Sequence, residues 1–203
     1  MIAVFFAAPL LAAHLFSGAQ TREVAARGVV VRAFARDHGR EPTTATLQIR
    51  RGGVTQTIDL RPRDVGASML LGSIAIVDVN FDGYPDVTVL REFGAKWGAI
   101  DAFVYDPRAR RFRATTPIAR SIARLTNASF DEKRHAITTH YAGPANPERV
   151  TYAVDHDRLR VVASCRFLNP LDPRVGTLVR TRGGRTTYTK VRLGSTDLDP
   201  CAP

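Results

Sequence analysis

Asp78-Val-Asn80-Phe-Asp82-Gly83-Tyr84-Pro-Asp86, set between Ser73-Ile-Ala-Ile-Val77 and Val87-Thr-Val-Leu90, is the stretch that decides the fold class. Oxygen-bearing side chains stand at positions one, three, five and nine of a short loop. Glycine takes position six and Tyr84 position seven. Alternating oxygen donors around a sharp glycine turn are what a hard cation of flexible geometry requires, and the number of carboxylates favours Ca²⁺ over Mg²⁺. Without an ion, three clustered carboxylates would repel one another. Asp78, Asn80, Asp82, Tyr84 and Asp86 are therefore the candidate metal set, with Ca²⁺ as the expected cofactor in a structural role. The spacing opens like an EF-hand, but position twelve is Val89 instead of the bidentate Glu, so position nine closes the loop. The flanks are short and β-branched, which predicts strand–loop–strand and not helix–loop–helix. The competing reading is an acidic Gly-Pro turn that satisfies itself with local hydrogen bonds and binds nothing.

Working outward, the rest of the chain after residue 19 reads as one all-β domain over 20–203. Val24 to Phe34 carries a β-branched run. Thr46–Arg50 and Val54–Leu60 form a hairpin across Gly52-Gly53. Asp101–Tyr105 and Arg111–Ala114 form another, turning at Asp106-Pro107. His135–Tyr141 is a further strand, and Arg149–Val154 pairs with Leu159–Ser164 through Asp155-His-Asp157. Thr177–Arg192 folds back at Gly183-Gly184. Ser121–Leu125 is the one helical turn expected. Repeated antiparallel hairpins predict a propeller-like, barrel or sandwich arrangement.

Met1–Ala19 holds no charged residue and is apolar from Ile2 to Phe16, closing on Ser17-Gly18-Ala19. That is a signal-peptide pattern, although no Lys or Arg follows the initiator. The apolar run is shorter than a bilayer span, so the mature form is expected without a membrane span, in the periplasm or secreted. Cys165 and Cys201 are the two cysteines of the chain, and in an oxidising space they are expected to join and tether the C-terminal segment. The net charge of +10 rests almost wholly on arginine. It favours acidic partners. Nucleic acid is not expected as a partner, because no recognition helix, zinc knuckle or stacking platform is present. No nucleophile elbow, zinc-ligand spacing or phosphate loop occurs, so the protein is not expected to be an enzyme. Asp155 and Asp157 imitate a carboxylate pair, but a tight turn would leave both solvated.

These same residues carry a family resemblance. The 78–86 loop between two short strands, then Tyr105-Asp106-Pro107-x-x-x-Arg111-Phe112, then the strand Arg149–Val154 and the apolar strand ending at Phe167, are similar to periplasmic immunity proteins. Those proteins protect a bacterium from peptidoglycan-degrading effectors of bacteria-killing type IV secretion systems. The similarity covers roughly residues 70–167. It implies a propeller-like fold with an integrin-type calcium loop and a protein partner, a cell-wall hydrolase effector that is bound and inhibited. The chain has no lipid-accepting cysteine after its apolar run, a departure from the lipoprotein form. Such inhibitors insert a loop into the hydrolase cleft. Here the candidate is His140–Pro147, with Tyr141 and Pro144 as partner-binding residues, against the plainer reading of an ordinary long turn. The alternative function is a non-catalytic cell-envelope binding or adhesion module. An enzyme using the metal is a third.

Overall fold

The structure is a computed structural model. It describes residues 19–38, 41–95, 97–141, 147–172, 175–192 and 201. The apolar segment 1–18 and Pro144 lie outside the described residues.

Three antiparallel sheets follow one another along the chain, each built from strands in sequence order. The first joins β1 (Gln20–Ala26), β2 (Val29–His38), β3 (Glu41–Arg51) and β4 (Val54–Leu60). A helix, α1 (Ala67–Ser73), leads into the second, made of β5 (Ala75–Val77), β6 (Asp86–Gly94), β7 (Trp97–Asp106) and β8 (Arg111–Arg113). A second helix, α2 (Pro117–Ile122), leads into the third. That sheet holds β9 (Ala128–Asp131), β10 (Ala136–Tyr141), β11 (Glu148–Asp155), β12 (Arg158–Asp172), β13 (Val175–Arg182) and β14 (Arg185–Arg192). None of the three closes into a barrel among the described residues. The expected hairpins at Gly52-Gly53 and Gly183-Gly184 are present, and all four glycines hold the positive φ that such two-residue turns need.

The middle sheet is covered on both faces, and this explains its nearly unbroken apolar strands. Val87, Val89, Phe103 and Tyr105 join Val29, Val31, Leu47 and Ile49 of the first sheet and Leu70 and Leu71 of α1 in one core. The alternate positions Ala102 and Val104 join Val79, Ile118, Ile122 and Ile137 in a second core, between the middle and third sheets. Period-two alternation along β7 thus feeds two cores at once.

Three details depart from the sequence expectation. Val24–Phe34 is not one strand: Arg27 and Gly28, at φ 50° and 75°, turn it into the β1–β2 hairpin. The expected strand His135–Tyr141 has a neighbour the sequence did not suggest, β9, paired to it antiparallel. Ser73 ends a helix instead of opening a strand, and only Ala75–Val77 are extended. Ala67, Leu70, Leu71 and Ile74 are all buried, the i, i+3, i+4, i+7 stripe of an amphipathic helix. Gly66 at its N-cap offers no side chain. The cap comes from thirty residues away: Asp37 on β2 accepts the Ala67 amide and the Thr43 hydroxyl, both at 2.8 Å. The Thr43 hydroxyl first, then the Ala67 amide, hold the Asp37 carboxyl below its ordinary range. An Asp37→Ala variant should lose about 1 kcal/mol, or about 2–4 °C in Tm. Because the folded-state pKa is depressed, the wild-type advantage is fully present above the unfolded carboxylate value near 4 and fades as pH falls through the lower folded value. Paired melts of wild type and variant from pH 7 down to 3 should converge, and a constant gap would refute the carboxylate cap.

Candidate metal centre

The loop between β5 and β6 is wound around its own carboxylates. Asp78 Oδ1 accepts the Asp82 amide at 3.1 Å and Oδ2 the Gly83 amide at 2.7 Å. Asp82 Oδ1 accepts the Tyr84 amide at 2.9 Å, and Asn80 Nδ2 donates to Asp82 Oδ2 at 2.8 Å. Phe81 at φ 60° and Gly83 at φ 88° make the reversal that brings these groups together. Asp78 is buried at 7% exposure. Asp86, fully buried at the head of β6, receives the Val79 amide on Oδ2 at 3.0 Å and the Tyr105 amide on Oδ1 at 2.8 Å. Burial pushes its carboxyl up to about 7 against the lowering effect of those two amides, and the charges of Asp82 and Asp78 push the same way.

The donor chemistry suits a hard cation. The oxygens are hard, the charges press on one another, and every carboxylate oxygen that accepts one amide keeps a second lone pair. The assembly is partial, however: among the described residues no three His, Cys, Asp or Glu side chains converge as a finished metal cage.

The loop is also the meeting point of turns from all three sheets. Arg27, in the β1–β2 turn, makes a two-armed ion pair with Glu132, in the β9–β10 turn. Glu132 Oε1 in turn accepts the Asp78 amide at 3.1 Å, and Arg27 before all else holds its carboxyl below the ordinary range. His135 stacks on Phe81 with ring centroids 5.3 Å apart. The Arg51 guanidinium, at the end of β3, lies 4.3 Å from the Tyr105 ring centroid and 5.6 Å from that of Tyr84. Asp157, in the β11–β12 turn, is not fully solvated as the turn alone suggested. It accepts the Ile118 amide at the start of α2, and burial first, then the Asp82 charge, raise its carboxyl. Asp155 is exposed and pairs with His156. An open cleft of about 420 Å³ runs past Asn80, Asp82, Asp106, Thr116 and Asp157.

Sequence reasoning therefore found the loop but not its surroundings. Arg27, Arg51 and Glu132 carried no local signal, since each acts on residues from a different sheet, and Asp157 was legible only as half of a carboxylate pair in a turn. Of the partner-binding candidates, Tyr141 ends β10, pairs across to Glu148 and is 47% exposed. The expected disulfide is present: Cys165 and Cys201 are bonded, with a sequence separation of 36. Among the described residues no helix is long and apolar enough to cross a membrane.

No protein-family model matches the chain, and no curated protein does. Among solved structures it is similar to one described as "Structure of a Xanthomonas Type IV Secretion System related protein". The TM-score is 0.50 and the sequence identity 15%, over 83% of this chain and 92% of that one. At that identity the likeness is one of fold.

Proposed function

We propose that this protein is an exported, non-enzymatic β module whose 78–86 loop binds Ca²⁺ and which binds and inhibits a peptidoglycan-hydrolase effector, as an immunity protein of a type IV secretion setting. The observation that carries the reading is the placement of the acidic loop where turns of three sheets meet. A cation held there ties together an entire binding scaffold. The side-chain oxygens of Asp78, Asn80, Asp82 and Asp86, with the Tyr84 carbonyl, would hold it, and it would supply charge neutralisation and no chemistry. The fold likeness to a type IV secretion related protein from Xanthomonas supports the setting. Three serial meanders are the raw material of a propeller-like stack, which supports the same kinship.

Two measurements test this. Melting in millimolar Ca²⁺ against excess chelator should show a higher Tm with calcium, because binding to the folded state adds about 2.7 kcal/mol at a hundredfold excess over Kd. Asp82→Ala, exposed in the loop, should remove the difference. Identical melts in both buffers would end the calcium reading. Inhibition of a hydrolase encoded beside this gene by the purified domain tests the rest, and no binding at micromolar concentration would end it. Envelope binding is the second reading, favoured by the unpaired cations of the third sheet. It requires salt-sensitive retention on purified cell wall.

A further inference from the structure

The outer half of the third sheet carries a second feature, remote from the calcium loop. The β11–β12–β13–β14 register sets Arg149, Cys165, Arg180 and Thr187 in one cross-strand row, and Thr151, Ala163, Arg182 and Arg185 in the next. The rows are two residues apart on every strand, so all eight share a face. Cys201 is bonded to Cys165 and lies there too. Between them is a groove of about 600 Å³, with Arg149, Arg180 and Arg182 as its cations and Val162, Ala163 and the disulfide as apolar ground.

Its electrostatics are unbalanced. Arg182 and Arg185 stand directly opposite one another, a like-charge pair that weakens a hairpin. Arg180, Arg182 and Arg185 are exposed, and among the described residues none has an ion pair. On the opposite face of the same strands Arg166 is paired with Glu148 at 2.7 Å, while Lys190 and Arg192 stand apart near the far end of β14 and are exposed. Where the chain balances an arginine, it does so with a neighbouring carboxylate. On this face it leaves three unbalanced, side by side.

We propose that this groove is the docking site for an acidic, extended segment of a protein partner. The proposal rests on the reading of the molecule as a binder of protein, and names the surface and chemistry of that contact. Forked guanidiniums receive carboxylates through two parallel bonds. The hydroxyl of Thr151 and the apolar ground suit a peptide backbone and small side chains. Evenly spaced phosphates would have no use for that ground.

The test is fluorescence anisotropy with a labelled peptide alternating Glu and Ala, titrated with the intact disulfide-bonded protein. Arg180→Ser/Arg182→Ser should weaken binding about tenfold or more without lowering Tm, because both side chains are exposed and a like-charge pair is removed. Equal binding by the double variant would overturn the proposal. So would inorganic polyphosphate competing more strongly than the peptide, the result for a surface that attracts any polyanion. Binding that appears only after Asp197→Ser/Asp199→Ser would assign the groove to the chain's own C-terminal segment instead. The double arginine variant is also assayed against the hydrolase. Loss of inhibition alongside loss of peptide binding supports the groove as the contact. Retained inhibition overturns it and leaves the immunity reading standing.

Discussion

Asp86→Asn should destabilise the protein by about 2–3 kcal/mol, although it removes a buried charge and changes almost no volume. The carboxylate has zero exposure, and its two oxygens each receive a backbone amide, Val79 from the loop and Tyr105 from β7. An asparagine supplies one acceptor and turns an NH₂ group toward the other amide. One buried N–H is then left without a partner and faces a second donor. Asp86→Ala leaves both amides orphaned and opens a hole beside Val87, so about 4–5 kcal/mol is expected. Relief of the buried charge offsets part of either loss, and that offset makes the experiment informative. If Asp86 only carried charge to a cation, asparagine in chelator would be neutral or stabilising. If it staples the loop to β7, asparagine is harmful with or without calcium. Urea denaturation of wild type and both variants in chelator, at a pH above 7, separates these outcomes. A wild-type-like midpoint for the asparagine variant would discard the staple.

The Asp86 staple also marks how far the sequence alone could be read. Features that depend on neighbours along the chain were legible: the glycine pairs at 52–53 and 183–184, the period-two strands, the oxygen spacing of 78–86, the isolated cysteine pair. Features that depend on a partner brought in by the fold were not. Helix α1 was missed although Ala67 to Ile74 carry a helical stripe, because the one helical turn expected was Ser121–Leu125, and its cap comes from Asp37, far along the chain. Arg27 and Gly28 could be recognised as a turn only by giving the positive-φ positions more weight than the valines around them. The ion pair of Arg27 with Glu132 joins residues 105 apart and exists because three sheets bring their turns to one end. Nothing in either residue's vicinity announces it. The acidic loop was therefore visible as a list of candidate ligands and invisible as a junction. The arginine excess was visible as a net charge, and only strand register brings Arg180, Arg182 and Arg185 side by side on one face.

Removing the disulfide should loosen one part of the molecule and leave the rest intact. Constraining an unfolded loop of this separation, 36 residues, corresponds to about 4 kcal/mol in the chain-entropy picture. Where that loss falls is decided by the cores. Phe167, Leu178 and Cys201, flanked by Cys165 and Val191, form a small cluster of their own, apart from the two cores that hold the sheets together. Around it β14 is exposed along almost its whole length, with Tyr188 at 72%. The packing is close all the same: a Cβ on Gly176 would come within 2.4 Å of the Phe167 ring. So little apolar burial cannot hold two hairpin strands alone, and the covalent tie supplies what is missing. Cys165→Ser/Cys201→Ser should therefore raise amide exchange across β13 and β14 by about two to three orders of magnitude, while β2, β3, β6 and β7 keep their protection. Equal loss of protection in all sheets would show one cooperative unit instead of a core with a stapled wing. No loss anywhere would show that Phe167 and Leu178 suffice. The wing carries Arg180, Arg182 and Arg185, so its order and its capacity to hold an acidic segment should fall together. A reduced protein whose protection in β2, β3, β6 and β7 is unchanged but which loses the peptide would place stability and recognition in different halves of the same chain.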